Sequence, residues 1–173
     1  MFKKIAAAAA LLIASSAAFA AQPNTFYAGV DAGRTKADDF SDRDTSVGAF
    51  VGYNFHQNFA VEGGYRRLAD YDIYVGTPAI GFVDGKAKVD QAHLSLVGSL
   101  PVAQNLSLYG RLGVNRLEGK VSSAGYSAKD STTKALYGVG LSYAFTPAVS
   151  ARLEVQKPAS DATNLSAGVA FQF

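Results

Sequence analysis

The chain contains no cysteine. An exported domain without disulfides has to be held by other means, and a closed sheet with no free edge is one of them. Tryptophan is also absent, although tyrosine and phenylalanine are plentiful. After Ala20 no apolar run approaches the roughly 20 residues of a membrane-spanning helix, so any insertion into a bilayer has to use strands. No basic run marks a nucleic-acid partner. Net charge is nearly absent too. Lys3 and Lys4 stand before a short apolar segment, residues 5–14, and Ala18-Phe19-Ala20 has the small-x-small form of a cleavage site. Residues 1–20 therefore read as a cleaved secretory signal peptide, leaving residues 21–173 as one domain of about 150 residues. Without the two signal lysines, the 16 basic residues become 14, equal to the 14 acidic ones.

What remains is alternation. Residues 165–173 place Leu165, Val169, Phe171 and Phe173 on one face and Ser166, Gly168, Ala170 and Gln172 on the other. Period two is the mark of a strand with two unlike faces. Here the bulky face is apolar and the opposite face is too small and polar for an ordinary core. A strand facing lipid outward and a narrow polar lumen inward has this composition.

Seven further segments repeat the pattern: residues 26–35, 45–55, 59–68, 88–100, 106–117, 132–145 and 149–157. Each is near the roughly 9–11 residues that cross an outer membrane at a tilt. The connections at 56–58, 101–105 and 146–148 are short, whereas those at 36–44, 69–87 and 118–131 are longer. Short turns on one rim and longer loops on the other fit an outer-membrane barrel, with both termini on the short-turn rim. Phe26, Tyr53, Phe55, Phe59, Tyr143, Phe145, Phe171 and Phe173 fall at strand ends beside the short turns, as an interfacial aromatic girdle requires. A soluble up-and-down barrel would need bulky apolar residues on the inward face, where this chain has Gly, Ser, Asn and charge. The fold class expected is all-β: an eight-stranded antiparallel transmembrane up-and-down barrel.

The inward sets contain Asp31, Glu62, Arg66, Arg111, Lys134, Arg152 and Glu154. Asp31, Glu62, Arg111, Arg152 and Glu154 each lie about three to five residues above the lower end of their strand, which at about 3.3 Å per residue predicts one charged layer. Unpaired charge there is costly, so a network of salt bridges and hydrogen bonds is expected. An eight-stranded barrel is just wide enough for its side chains to fill, so the layer reads as a plug. Either it only fills and stabilises the barrel, or an arginine exchanges carboxylate partners and gates a small conductance.

Other candidates are weaker. His93 and Ser95 share a strand face, as nucleophilic catalysis could require, but no acid follows at close spacing and the pair reads as pore lining. Asp38, Asp39, Asp42 and Asp44 crowd one loop without the Gly and terminal Glu of a calcium loop. His56 and His93 lack metal-ligand spacing. Tyr71, Tyr74 and Phe82 in the segment 69–87 either form a surface-binding loop or extend the flanking strands above the membrane.

Four stretches carry a family resemblance: Gly48-Ala49-Phe50-Val51-Gly52-Tyr53; Phe59-Ala60-Val61-Glu62-Gly63-Gly64-Tyr65; Leu108-Tyr109-Gly110-Arg111-Leu112-Gly113; and Tyr143 to Pro147 continuing to Ala151-Arg152-Leu153-Glu154. In this order and spacing the chain resembles the transmembrane domain of the OmpA family and, more loosely, OmpX-type and opacity-type small barrels. The resemblance implies an interior glutamate that pairs with a lysine or an arginine. Glu62 and Arg152 match the glutamate and the arginine, while Val97 and Ser142 stand at the lysine and second glutamate positions. It implies that Phe171 and Phe173 belong to the signal read by the barrel-assembly machinery. It also implies partners in outer-membrane lipid, lipopolysaccharide and periplasmic chaperones, a monomeric state, and the outer membrane of a Gram-negative bacterium. The chain stops at Phe173, so the periplasmic anchoring domain of the OmpA family is not carried over. The role expected is structural or surface-exposed, porin-like in family but with a closed or very narrow lumen; a loop-mediated adhesin and a small-solute channel are the alternatives. No enzyme activity, cofactor or metal is expected.

Overall fold

The computed structural model describes residues 22–37, 43–77, 81–123 and 126–173. The signal segment at 1–20 and Asp38, Asp39 and Asp42 lie outside the described residues, as do the side chains of Tyr71, Tyr74 and Phe82. Eight strands follow in order: β1 Thr25–Ala37, β2 Arg43–His56, β3 Phe59–Thr77, β4 Gly81–Pro101, β5 Leu106–Ser123, β6 Tyr126–Ala144, β7 Val149–Ala159 and β8 Ala162–Gln172. Each pairs antiparallel with its neighbours in sequence, and β8 closes on β1 from Tyr27↔Gln172 to Ala37↔Ala162, giving a closed barrel.

Burial is inverted relative to a water-soluble domain. Leu112 is 69% exposed and Val139 62%, whereas Glu62 and Asn164 are 0% exposed. The alternation decides this. Along β5, Leu108, Leu112 and Val114 face outward while Tyr109, Arg111 and Asn115 face inward. Only a solvent more apolar than water makes such a wall favourable, and a bilayer is that solvent. Near the short turns the outer surface carries paired rings, with centroid separations of 4.8 Å for Phe26–Tyr53 and 5.2 Å for Tyr143–Phe145. Inside, close approach demands glycine at two matched places. The Tyr27 ring lies over Gly52 and the Tyr109 ring over Gly140, where a Cβ would collide with each ring.

Four strands run further than their alternation suggests. β3 and β4 stay paired from Asp70↔Lys88 to Thr77↔Gly81, and β5 and β6 from Glu118↔Ser131 to Ser123↔Tyr126. Segments 69–87 and 118–131 are therefore the upper parts of hairpins: 69–87 takes the second of its two expected forms, an extension of the flanking strands, and 118–131 is paired where a loop was expected. Above the bilayer both faces of a hairpin meet water, so no one-sided burial imposes period two on its sequence. β4 and β5 also pair up to Gly85↔Ser123. β3 to β6 thus form a projecting four-stranded sheet, while β7 and β8 stop at Ala159 and Ala162.

Candidate functional site: two charge clusters in the lumen

Inward-facing positions of β3, β5 and β7 bring Glu62, Arg111, Arg152 and Glu154 together. Arg111 Nη2 donates to Glu62 Oε1 at 2.5 Å and to Glu154 Oε2 at 3.1 Å. Arg152 Nη1 donates to Glu62 Oε2 at 2.7 Å. Arg111 Nε lies 3.1 Å from Glu154 Oε1, close enough for an ion pair but without hydrogen-bond geometry. Two tyrosines complete the acceptors: Tyr27 donates to Glu62 at 2.9 Å and Tyr109 to Glu154 at 2.8 Å. The Arg152 guanidinium lies over three rings, 4.7 Å from the centroid of Tyr27, 4.9 Å from Phe50 and 5.6 Å from Tyr109. Such stacking holds a planar cation in place and stabilises it within a desolvated space.

Asp31 and Arg66 form a second group rather than joining one layer. Arg66 Nη2 donates to Asp31 Oδ2 at 2.7 Å, and Arg66 Nη1 to Asn164 Oδ1 at 2.6 Å. Asn164 in turn donates to Thr35 Oγ1 at 2.9 Å and to Ser46 Oγ at 2.7 Å. The single-layer expectation counted residues from the lower end of each strand. In a barrel the strands are staggered, so equal counts do not give equal heights. Lys134 is in neither group. It is exposed, because β6 at that point has run past its pairing with β7, which ends at Tyr137↔Lys157.

Across both groups, three carboxylates (Asp31, Glu62, Glu154) meet three guanidinium groups (Arg66, Arg111, Arg152), so the buried charge balances. The void between the groups is only about 10 Å³. His93 joins the lower group. Its Nε2 lies 2.8 Å from Arg111 Nη1 and 3.8 Å from Glu62 Oε1. Since Arg111 can only donate, this His93 nitrogen accepts. It is turned to Arg111 rather than to Ser95.

The sequence places Tyr27, Ser46 and Tyr109 on inward faces but gives them no part in the network, and it does not single out Asn164 or Thr35. Sequence reasoning also missed a small apolar layer of Tyr27, Phe50, Ala60, Val97, Tyr109 and Ala170 beneath the charges. The available signal was parity, since these residues occupy inward positions amid Gly and Ser. Outside the lumen, Lys120 and Lys129 reach Glu118 at 2.8 and 2.7 Å on the projecting hairpin. Their hydrogen bonds, first Lys120 and then Lys129, hold the Glu118 carboxyl down at about 2.

Comparison with known proteins agrees with this architecture. Residues 6–173 match the family described as the outer membrane protein beta-barrel domain. Outer membrane protein P5 of Haemophilus influenzae is 33% identical over 175 residues, covering 86% of this chain and 48% of that protein. Outer membrane protein A of Salmonella typhi is 32% identical over 171 residues, covering 89% and 47%. The chain therefore spans about half the length of these curated relatives. The crystal structure of Neisserial surface protein A superposes with a TM-score of 0.61 at 18% identity, covering 86% of this chain and 96% of that one. The chain belongs to the outer membrane protein β-barrel domain family and is an eight-stranded barrel of the Gram-negative outer membrane.

Proposed function

We propose that the barrel is an integral structural and surface element of the outer membrane whose lumen is closed by its two charge clusters. The observation that carries this is the charge-balanced pairing of Asp31, Glu62 and Glu154 with Arg66, Arg111 and Arg152, around a void of about 10 Å³. Hydrated ions could pass only by breaking pairs that are expensive to leave unmade in a low-dielectric interior. The plug is static on this reading, with no catalytic role for His93 or Ser95. The partners are outer-membrane lipid and lipopolysaccharide around a monomeric barrel, with Phe171 and Phe173 on the strand that the assembly machinery and its chaperones handle. Liposomes carrying the refolded protein should not swell in small sugars or amino acids faster than empty ones; swelling at porin-like rates would reject the plug.

A second reading, surface recognition, is favoured by one feature. The β3–β6 sheet projects beyond the β7–β8 hairpin, and among the described residues β6 pairs with β7 only up to Tyr137↔Lys157. The segment with Tyr71, Tyr74 and Phe82 belongs to this projection. Whole-cell binding before and after proteolytic shaving of these hairpins tests it: binding that survives shaving rejects the recognition role.

A further inference from the structure

Beneath the lower cluster the lumen widens into a cavity of about 200 Å³ that the plug does not fill. Its mouth lies among the short turns, at Asn105, Thr146, Pro147 and Gln172, which is the periplasmic rim of an outer-membrane barrel. Its walls carry Ser99, Ser107, Ser142 and Ser150, and its ceiling holds Tyr27, Tyr109 and Arg152. Among the described residues lining it, Arg152 is the only charged one, and no carboxylate faces the space.

Arg152 differs from the other lumen guanidinium groups. The side chains of Arg66 and Arg111 are 4% and 3% exposed and enclosed by partners, whereas that of Arg152 is 17% exposed. Its Nη1 is tied from above to Glu62, itself fully buried, and its plane is fixed by the three rings. It lines the cavity that it roofs as well as the small void above it. In the strand register Ser142 stands directly opposite Arg152, and Ser107 directly opposite Ser142. One row thus presents two hydroxyl groups beside an immobilised cation. A guanidinium with hydroxyl donors matches the oxygen spacing of phosphates and carboxylates, and fixing it in advance removes the ordering cost of binding. The space is smaller than the roughly 300–1,000 Å³ of drug-sized ligand sites, so it admits only a small solute.

We propose that the periplasmic half of the lumen is a blind binding site for a small oxyanion of phosphate size, held by Arg152 with Ser142 and Ser107. The proposal rests on the plug reading, because a through-channel would not retain the anion. The test uses the full refolded chain in nanodiscs, with inorganic phosphate titrated at constant ionic strength and backbone amide shifts recorded. Saturable shifts are expected in the lower halves of β5, β6 and β7. Ser142→Ala removes one of the two hydroxyl donors and should weaken the saturable binding without abolishing it. Ser142→Glu places a carboxylate opposite Arg152 within the same row and should weaken phosphate binding by at least about tenfold, a loss of roughly 1.4 kcal/mol, while preserving the fold. Shifts that stay linear in phosphate, or that are unchanged in Ser142→Glu, would mean an adventitious ion only and overturn the site. Bilayer recordings on the same sample separate the two ideas. A silent barrel that fails to bind phosphate rejects only the oxyanion site, whereas a conducting barrel rejects the plug.

Discussion

The outer wall and the lumen of this barrel are built from the same strands but obey opposite rules. On the wall, Leu94, Leu112, Val139 and Val169 are exposed and touch little protein; they need only be apolar, because lipid accommodates any such shape. In the lumen, Glu62 has four close polar neighbours, Tyr27, His93, Arg111 and Arg152, each at a set position. The wall therefore stores its stability in transfer to lipid, spread over many interchangeable side chains. The lumen stores it in a few pairs that fail together. Substitutions should separate the two regions sharply.

The largest effect is expected for Glu62→Ala. It leaves Arg111 and Arg152 short of a carboxylate in a buried site and should cost about 3–5 kcal/mol, read by urea unfolding of the barrel in bilayers. A wall position rivals this only if charge is forced into lipid: Leu112→Arg should cost about 2–4 kcal/mol, whereas Leu112→Ile should change stability by less than about 1.5 kcal/mol. If Leu112→Ile were as costly as Glu62→Ala, the contrast between wall and lumen would collapse. Tyr109→Phe removes one donor to the buried Glu154 carboxylate and should cost about 1.5–3 kcal/mol in the same assay. Lys134→Ala, at an inward position outside both clusters, should stay within about 0.5 kcal/mol.

The smallest effect concerns the projecting sheet. Glu118 has its carboxyl lowered from 4.5 to about 2 by Lys120 and Lys129. Its folded value lies below its unfolded one, so its contribution is complete above about pH 4.5 and is lost as the pH falls toward 2. The group is screened by solvent, so the urea midpoint of the parent chain should exceed that of Glu118→Gln only slightly, by a margin that is constant above about pH 5 and closes as the pH falls toward 2.

The wall was legible in the sequence because lipid enforces period two on every membrane-crossing strand, and a run such as Leu165 to Phe173 shows the pattern directly. The aromatic ends near the short turns were legible for the same reason. The upper halves of β3 to β6 show no such pattern, because water on both faces leaves residues 69–87 and 118–131 without a period; the extension of β3 and β4 stood only as one of two readings, and that of β5 and β6 was not read at all. The residue types of the lumen could be read, but their grouping could not. Parity placed Asp31 and Glu62 inward, but the stagger between strands, which puts Asp31 with Arg66 and Glu62 with Arg111, depends on how the sheet closes. Parity placed Tyr27 and Tyr109 inward as well, but not their bonds to Glu62 and Glu154: an inward ring fits a barrel this narrow only where a glycine lies opposite it, as Gly52 and Gly140 do, and that pairing depends on the register.

The central claim is that paired charges close this lumen, and planar bilayer recording of the refolded full chain tests it most directly. The parent barrel should show no sustained conductance, and Glu62→Ala, with its Arg111 and Arg152 partners released, should show openings. A steady conductance in the parent that Glu62→Ala leaves unchanged would contradict it.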